Sequence, residues 1–166
     1  MLISCILHDV GTIGIPDAIL LNPGPLNDEE FSIMKKHVTL GLDIISHSSW
    51  LRHASDVVGN HHERFDGSGY PKGLIGAAIP LTARVFAIAD VFDALTSVRP
   101  YKPAFTLEKS LGMLRESMGT HFEPRLVEAF LRIAPGLYTR FNQVSKHELE
   151  KDLEEVLLHY WNSEKN

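Results

Sequence analysis

Apolar residues recur at helical spacing along most of this chain, in segments separated by glycine and proline. The first segment, residues 2–9, is apolar and is followed by Gly11, which is placed to end a helix. Residues 12–27 are rich in proline and glycine and are predicted as loop, with one short helical turn after Pro16. No segment shows the polar and apolar alternation of a strand, so the pattern predicts an all-α fold.

Two more helices are predicted before residue 64. Asn27 and Glu30 make a capping box that opens a helix over 28–46. A second helix is predicted over 50–63 and ends at two adjacent histidines. The apolar stripe of the first of these helices consists of Phe31, Met34, Val38, Leu42 and Ile45.

The remaining helices are predicted over 80–97, 107–118, 124–134 and 146–161. The first is apolar on most of its circumference and is therefore expected at the centre of the fold. Pro135 and Gly136 are expected to end the third. The fourth begins with a capping box of Ser145 and Glu148, and its apolar stripe is predicted to pack either on the same domain or across a dimer.

The chain length and net charge limit the kinds of fold and ligand that this protein can have. A chain of 166 residues suits a single domain with a core of its own. The net charge of −5 provides no basic surface for a nucleic-acid polymer. An anionic small molecule would therefore need positive charge supplied locally, by metal ions or by a few arginine and lysine side chains.

Cysteine content and hydropathy predict a compartment. Cys5 is the single cysteine, so no internal disulfide can form, and the chain fits a reducing environment. Apolar runs such as residues 2–7 are too short to cross a bilayer. We therefore expect a protein of the bacterial cytosol without a membrane segment. The chain begins within an apolar helix, and we expect that helices preceding it are missing.

Several polar residues lie on or beside apolar helices, and helices that cross at one point would bring them together. Nitrogen and oxygen donors without thiolates suit zinc, manganese or iron, and more than four ligands indicate two or more ions. Two neighbouring ions activate water and stabilise charge on a phosphoryl oxygen, which is the chemistry of phosphoester hydrolysis. The residues in question are His8, Asp9, His37, His61, His62 and Asp90.

Each of these residues also has an ordinary structural interpretation. A single histidine beside a core stripe, such as His37, is more often a hydrogen-bonded structural residue than a ligand. An aspartate such as Asp90, in an apolar helix, needs a partner because an unpaired buried carboxylate is costly. Arg99 and Lys102 follow that helix in a proline-punctuated loop, where they either are solvated or bind phosphate. Only the combination of these residues favours a metal site.

Taken together, these segments resemble the HD-GYP family, a branch of the HD phosphohydrolase superfamily. The matching segments cover nearly everything up to residue 131. They are HDVGTIGIPDAILLNPGPL at 8–26, KKH at 35–37, HHERFDGSGYP at 61–71, IPLTARVFAIADVFDALTSVRPYK at 79–102 and GTHFEPRLVEAF at 119–130.

The resemblance implies an all-helical HD-domain bundle over residues 1–135, followed by a C-terminal linker and amphipathic helix over 136–166. It further implies hydrolysis of the bacterial second messenger cyclic di-GMP, to linear pGpG or GMP, by two or three iron or manganese ions. GGDEF-type signalling domains and a homodimer are possible partners.

By position, the resemblance makes the six residues collected above the metal ligands, with Asp9 a catalytic bridge between ions. Arg99 and Lys102 would hold the phosphates of the substrate, and Tyr70 its guanine end. The loop that names the family would consist of Asp66, Gly67, Gly69, Tyr70 and Pro71.

Two departures from the family pattern predict impaired activity. Thr12 stands where the family has a lysine that is thought to hold the scissile phosphate, and threonine supplies no charge. The family also takes a further histidine from a helix upstream of the HD pair, and only seven residues precede His8. An alternative to a phosphodiesterase is therefore a degenerate module that binds cyclic di-GMP or a partner without hydrolysis. An HD phosphohydrolase for another nucleotide is a third alternative, which the loop at 66–71 and the RPYK segment disfavour.

Overall fold

The computed structural model describes residues 2–98 and 103–163 of the chain, and within these ranges it contains α-helices, short 3-10 turns and loops but no strand. The 3-10 turns are Val10–Gly14, Ser49–Ala54 and Gly76–Ala78. The helices are α1 (Leu2–Leu7), α2 (Asp17–Leu20), α3 (Asp28–Met34), α4 (His37–Ser46), α5 (Ser55–Val58), α6 (Leu81–Thr96), α7 (Leu107–Glu116), α8 (Pro124–Gln143) and α9 (Lys146–Ser163). The predicted all-α fold is confirmed.

The helix predicted over 28–46 is in fact two helices, α3 and α4. Its predicted capping box is present, since the Asn27 side chain accepts from the Glu30 amide and the Glu30 carboxylate accepts from the Asn27 amide. The break follows Met34, whose carbonyl pairs with Nδ1 of His37 at 2.8 Å. In a continuous helix the amide of Val38 would donate to the Met34 carbonyl, but here it donates to the Lys35 carbonyl. The break makes His37 the first residue of α4.

The helix predicted over 50–63 is also shorter than expected. Residues Ser49–Ala54 form a 3-10 turn, and α5 ends at Val58. The carbonyl of Val58, which a continuing helix would offer to the His62 amide, lies 3.2 Å from Nδ1 of His61. Both histidines therefore lie in the turn that follows α5 rather than on a helix.

Gly11 does not end α1, because that helix stops at Leu7 and Gly11 lies within the 3-10 turn Val10–Gly14. Instead, Gly11 allows this turn to approach the backbone of α4 closely. A Cβ atom at this position would lie 1.9 Å from the His37 carbonyl oxygen and 2.4 Å from the Gly41 nitrogen. Glycine is thus required where the turn after His8 and Asp9 packs against α4.

The core lies where α4, α5 and α6 meet. Val38, Val57 and Val58 are fully buried, and Ile45 is 2% exposed. Each such aliphatic side chain contributes about 1.5–3 kcal/mol by leaving water. From α6 the buried residues are Ala83, Phe86, Ala87, Ile88 and Leu95, which agrees with its predicted central place.

The helix that begins at Pro124 does not stop at Pro135 as predicted, but continues to Gln143. Proline carries a helical φ of its own, so its cost inside a helix comes from one missing hydrogen bond and from steric contact with the preceding turn. Pro135 and Gly136 are both exposed here. The energetic cost of Pro135 is therefore smaller than the stabilisation that the rest of α8 provides.

The chain forms two compact units, residues 1–130 and 131–166. In the second unit, Ser145 and Glu148 make the predicted capping box of α9, and Arg140 pairs with Asp152 at 3.0 Å. Several apolar residues of α9 are exposed, namely Leu153, Val156, Leu157 and Leu158. Among the described helices, none has both the length and the apolar character required to cross a bilayer.

Candidate metal centre

Four side chains from three separate places in the sequence meet at one point. Asp9 precedes the first 3-10 turn, His37 begins α4, and His61 and His62 follow α5. Each offers one ligand atom, and these four atoms all lie within 4.8 Å of one another. We refer to Asp9, His37, His61 and His62 as the histidine–aspartate cluster.

Backbone carbonyls set the orientation of two imidazoles in this cluster. Nδ1 of His37 lies 2.8 Å from the Met34 carbonyl, and Nδ1 of His61 lies 3.0 Å from the Val57 carbonyl. A carbonyl can only accept, so each Nδ1 carries the proton and each Nε2 presents a lone pair. The two Nε2 atoms are 3.5 Å apart, and each is 3.5 Å from Oδ1 of Asp9. Converging lone pairs of this kind suit a shared cation.

The protonation states of the cluster also favour a cation. The imidazoles of His61 and His8 beside Asp9 hold the pKa of that carboxyl well below its usual range. Burial lowers the pKa of His62 to about 3, and burial also lowers the pKa of His37. Asp9 is therefore ionised and these two histidines are neutral at neutral pH, which are the forms that bind metal. Nitrogen and oxygen donors in these states fit a divalent transition metal.

His8 and Asp90 lie beside the cluster rather than within it. Nε2 of His8 is 3.2 Å from Oδ2 of Asp9 and 4.0 Å from Oδ1 of Asp90. Nδ1 of His8 lies 2.6 Å from the Cys5 carbonyl. The hydrogen bond to Asp9 raises the pKa of His8. All six predicted ligands are thus neighbours, although four of them form the tightest group.

Tyr70 packs against the cluster. Its ring stacks on His62 with centroids 4.7 Å apart and an interplanar angle of 25°, and it meets His37 edge-on at 6.5 Å. Burial raises the pKa of Tyr70 to about 12, so the hydroxyl is protonated at neutral pH. A protonated phenol beside the cluster can donate a hydrogen bond to an anionic ligand.

The chain matches the family model described as HD domain over residues 1–126. It is 49% identical over 137 residues to a cyclic di-GMP phosphodiesterase of Vibrio cholerae, covering 78% of this chain and 28% of that protein. It is 50% identical over 128 residues to the cyclic di-GMP phosphodiesterase response regulator RpfG of Xanthomonas campestris, covering 76% of this chain and 34% of that protein. This chain belongs to the HD-GYP branch of the HD domain family. It spans about a third of the length of these relatives.

A solved structure supports the helical fold of this HD domain. The crystal structure of a cyclic GMP-AMP specific phosphodiesterase of V. cholerae superposes with a TM-score of 0.65. The superposition covers 90% of this chain and 41% of the other, at 17% sequence identity. The predicted HD-domain bundle is therefore confirmed at the level of the fold.

The motif loop of the HD domain, residues 66–71, is anchored by a carboxylate that precedes it. Glu63 is 2% exposed, and its two oxygens accept from the amides of Lys72 at 2.7 Å and Leu74 at 2.9 Å. Glu63 and Asp66 follow the two histidines closely in sequence, but neither joins the cluster. A buried carboxylate needs donors, and for Glu63 the two amides meet that need.

The remaining loop residues shape a tight turn. Asp66 accepts from the amide and hydroxyl of Ser68. Gly67 has φ of +85°, which favours glycine. A Cβ atom at Gly69 would lie 2.3 Å from the Arg64 nitrogen. The loop thus folds back on the chain just after His62 and holds Tyr70 against that ring.

Of the three residues predicted to contact the phosphates of the substrate, the structure describes Thr12. Thr12 lies beside Asp9, but its hydroxyl donates to the Asp9 carbonyl at 2.7 Å. Arg99 and Lys102 lie outside the described residues. All three roles in phosphate binding remain predictions.

Proposed function

We propose that this HD domain is a metal-dependent phosphodiesterase that hydrolyses cyclic di-GMP to linear pGpG or GMP. The observation that carries the proposal is the convergence of Asp9, His37, His61 and His62 with their ligand atoms within 4.8 Å. Relatives 48–50% identical to this chain are named cyclic di-GMP phosphodiesterases, which supports the choice of substrate. That substrate is a bacterial second messenger, so the proposed location is the cytosol.

The proposed ligands of two or three divalent ions, iron or manganese, are His8, Asp9, His37, His61, His62 and Asp90. When bound, such ions supply an activated water and stabilise negative charge on the phosphoryl oxygens. Nitrogen and carboxylate donors without thiolates suit both metals. Asp9 is the proposed bridging and catalytic ligand, because its two oxygens approach His8 on one side and His37 and His61 on the other.

The other residues bind and orient the substrate in this proposal. The protonated Tyr70 hydroxyl donates to the nucleotide at the edge of the cluster. Arg99 and Lys102 supply positive charge to the phosphates, which a chain of net charge −5 otherwise lacks. Thr12 offers a neutral hydroxyl rather than a charge.

Asp9→Asn tests the proposal with little change of shape. The variant should lose most of its bound iron or manganese, because an amide cannot replace an anionic bridging ligand. Turnover of cyclic di-GMP, followed by chromatography of the products, should fall by at least about 100-fold. Metal content measured on the same samples connects the two effects.

The matched control is Asp43→Asn, which alters an exposed aspartate of α4 away from the cluster. It should keep both metal and turnover. Full turnover by Asp9→Asn would overturn the proposal.

A second candidate function is a module that binds cyclic di-GMP or a partner protein without hydrolysis. Thr12 favours it, since this residue provides no charge and its hydroxyl is already engaged by the Asp9 carbonyl. Tight binding of cyclic di-GMP by metal-loaded protein, with no product after long incubation, would establish this module. Ready turnover would exclude it.

A further inference from the structure

A row of aromatic rings leads outward from the histidine–aspartate cluster. His62 stacks on Tyr70 at 4.7 Å, and Tyr70 meets Phe31 edge-on at 6.0 Å. Phe31 belongs to α3 and Tyr70 to the motif loop, so two separate segments build this row. The sequence pattern predicts Phe31 as part of a core stripe, but the structure leaves it 44% exposed.

Lys35 lies over the outer two rings. It follows Phe31 by one helical turn, and its Nζ atom is 5.0 Å from the centroid of Phe31 and 5.8 Å from that of Tyr70. Lys35 forms no ion pair with any carboxylate in the part of the chain that the structure describes. Its ammonium donors thus remain available to a ligand beside the rings.

A single exposed phenylalanine needs no functional explanation. The arrangement here differs because an exposed ring, a partly buried lysine and the Tyr70 ring adjoin one another next to the cluster. An aromatic face stacks on a nucleobase of any kind. An ammonium donates to the O6 and N7 acceptors of guanine, whereas the amino group of adenine at the equivalent position is a donor.

We propose that Phe31, Lys35 and Tyr70 form a guanine-binding subsite beside the cluster. In this subsite, Phe31 provides the stacking surface and Lys35 donates to the O6 and N7 edge of the base. Tyr70, which stacks on His62, lies between the base and the cluster. The subsite rests on the proposed function and deepens it by assigning recognition of one base. Neither Phe31 nor Lys35 belongs to the set of residues assigned to that function above.

The test measures binding of two small probes to the manganese-loaded full chain by calorimetry. GMP contains both the base and a phosphate, whereas ribose 5-phosphate lacks the base. The wild-type chain should bind GMP about 5- to 150-fold more tightly than ribose 5-phosphate, which is the range expected for one stacked base. It should also prefer GMP over AMP by about tenfold.

Two variants separate the parts of the subsite. Phe31→Leu should reduce the ratio of GMP to ribose 5-phosphate affinity towards one. Lys35→Met should abolish the preference for GMP over AMP. The matched control is Lys36→Met, which removes the same charge from the exposed neighbouring residue and should keep both ratios.

Equal binding of GMP and ribose 5-phosphate by the wild-type chain would overturn the subsite. So would a Lys35→Met variant that weakens both probes equally, because Lys35 would then contact phosphate rather than guanine. Failure of the proposed function has a different signature. In that case the metal-loaded wild-type chain would not hydrolyse cyclic di-GMP, whereas a wrong subsite assignment would leave this turnover intact.

Discussion

At the scale of single residues, backbone carbonyls orient two imidazoles of the histidine–aspartate cluster. Carbonyls at Met34 and Val57 direct Nε2 of His37 and His61 towards Asp9. Imidazole contacts also accompany the early ends of α3 and α5. The Met34 carbonyl pairs with the ring of His37, and the Val58 carbonyl with the ring of His61, in place of the next helical amide. The imidazole contacts of the histidine–aspartate cluster therefore coincide with the ends of these two helices.

Gly11→Ala tests the close approach behind Asp9. The added Cβ atom would meet the backbone of His37 at 1.9 Å and of Gly41 at 2.4 Å, and neither is a flexible side chain. We expect the free energy of unfolding to fall by about 3 kcal/mol or more, with loss of bound metal, because the turn that carries Asp9 must move away from α4. Urea unfolding and metal content measure the two effects.

Gly112→Ala is the matched control, since it lies inside α7 with no atom within 4 Å of the added Cβ. It should raise stability by about 0.5–1 kcal/mol through helix propensity. If Gly11→Ala were as stable as this control, the close packing of the turn on α4 would be wrong.

At the scale of elements, hydrogen bonds hold the motif loop in place, and Gly67 and Gly69 allow the tight turn within it. Glu63 binds the amides of Lys72 and Leu74, and the amides of Phe65 and Asp66 bond to the carbonyls of His121 and Thr120. The loop is therefore tied both to its own return segment and to the turn before α8. These ties position Tyr70 against His62.

Glu63→Gln tests the anchor of the loop. The amide nitrogen of glutamine cannot accept from the Lys72 or Leu74 amide, so one hydrogen bond is lost and two donors face each other. We expect a loss of about 1–3 kcal/mol in the free energy of unfolding and faster hydrogen exchange at these two amides. Exchange measured by NMR distinguishes loop release from general destabilisation.

The exposed Glu128→Gln in α8 serves as the control and should change stability by less than about 0.5 kcal/mol. Unchanged exchange at Lys72 and Leu74 in the Glu63 variant would show that the carboxylate is not the anchor.

At the scale of the whole molecule, the chain divides into a unit over residues 1–130 that contains the whole histidine–aspartate cluster and a unit over 131–166. The sequence-based boundary between 135 and 136 and the homodimer through the last helix remain predictions. The exposed apolar residues of α9, such as Leu153 and Val156, are the surface on which the dimer prediction depends.

Removal of residues 145–166 tests whether the first unit folds without α9 and whether α9 forms a dimer contact. We expect the shortened chain to stay folded and to bind metal as the full chain does, because the cluster and its supporting core lie within residues 1–130. Circular dichroism and metal content measure these properties. Loss of the fold would show that the first unit depends on the second.

The mass of the full and shortened chains in sedimentation addresses the dimer. A dimer that becomes a monomer would assign the contact to α9. An oligomeric state that does not change would rule it out.

Local pattern alone determined the helical class, the capping boxes at Asn27 and Ser145, and the extent of α6, because each depends on neighbours in sequence. The six predicted ligands could be collected because imidazoles and carboxylates beside apolar helices are unusual. Their convergence to a few ångströms could only be decided by tertiary structure, since it depends on how α4 packs against the turn at Gly11 and against α5. Imidazole contacts to nearby carbonyls accompany the ends of α3 at Met34 and α5 at Val58, and the Glu63 carboxylate accepts from backbone amides. Phe31 is 44% exposed rather than part of the core. The convergence of the ligands is thus a result of tertiary packing, whereas the helix ends follow from side-chain contacts to nearby backbone, which a hydrophobic pattern does not show.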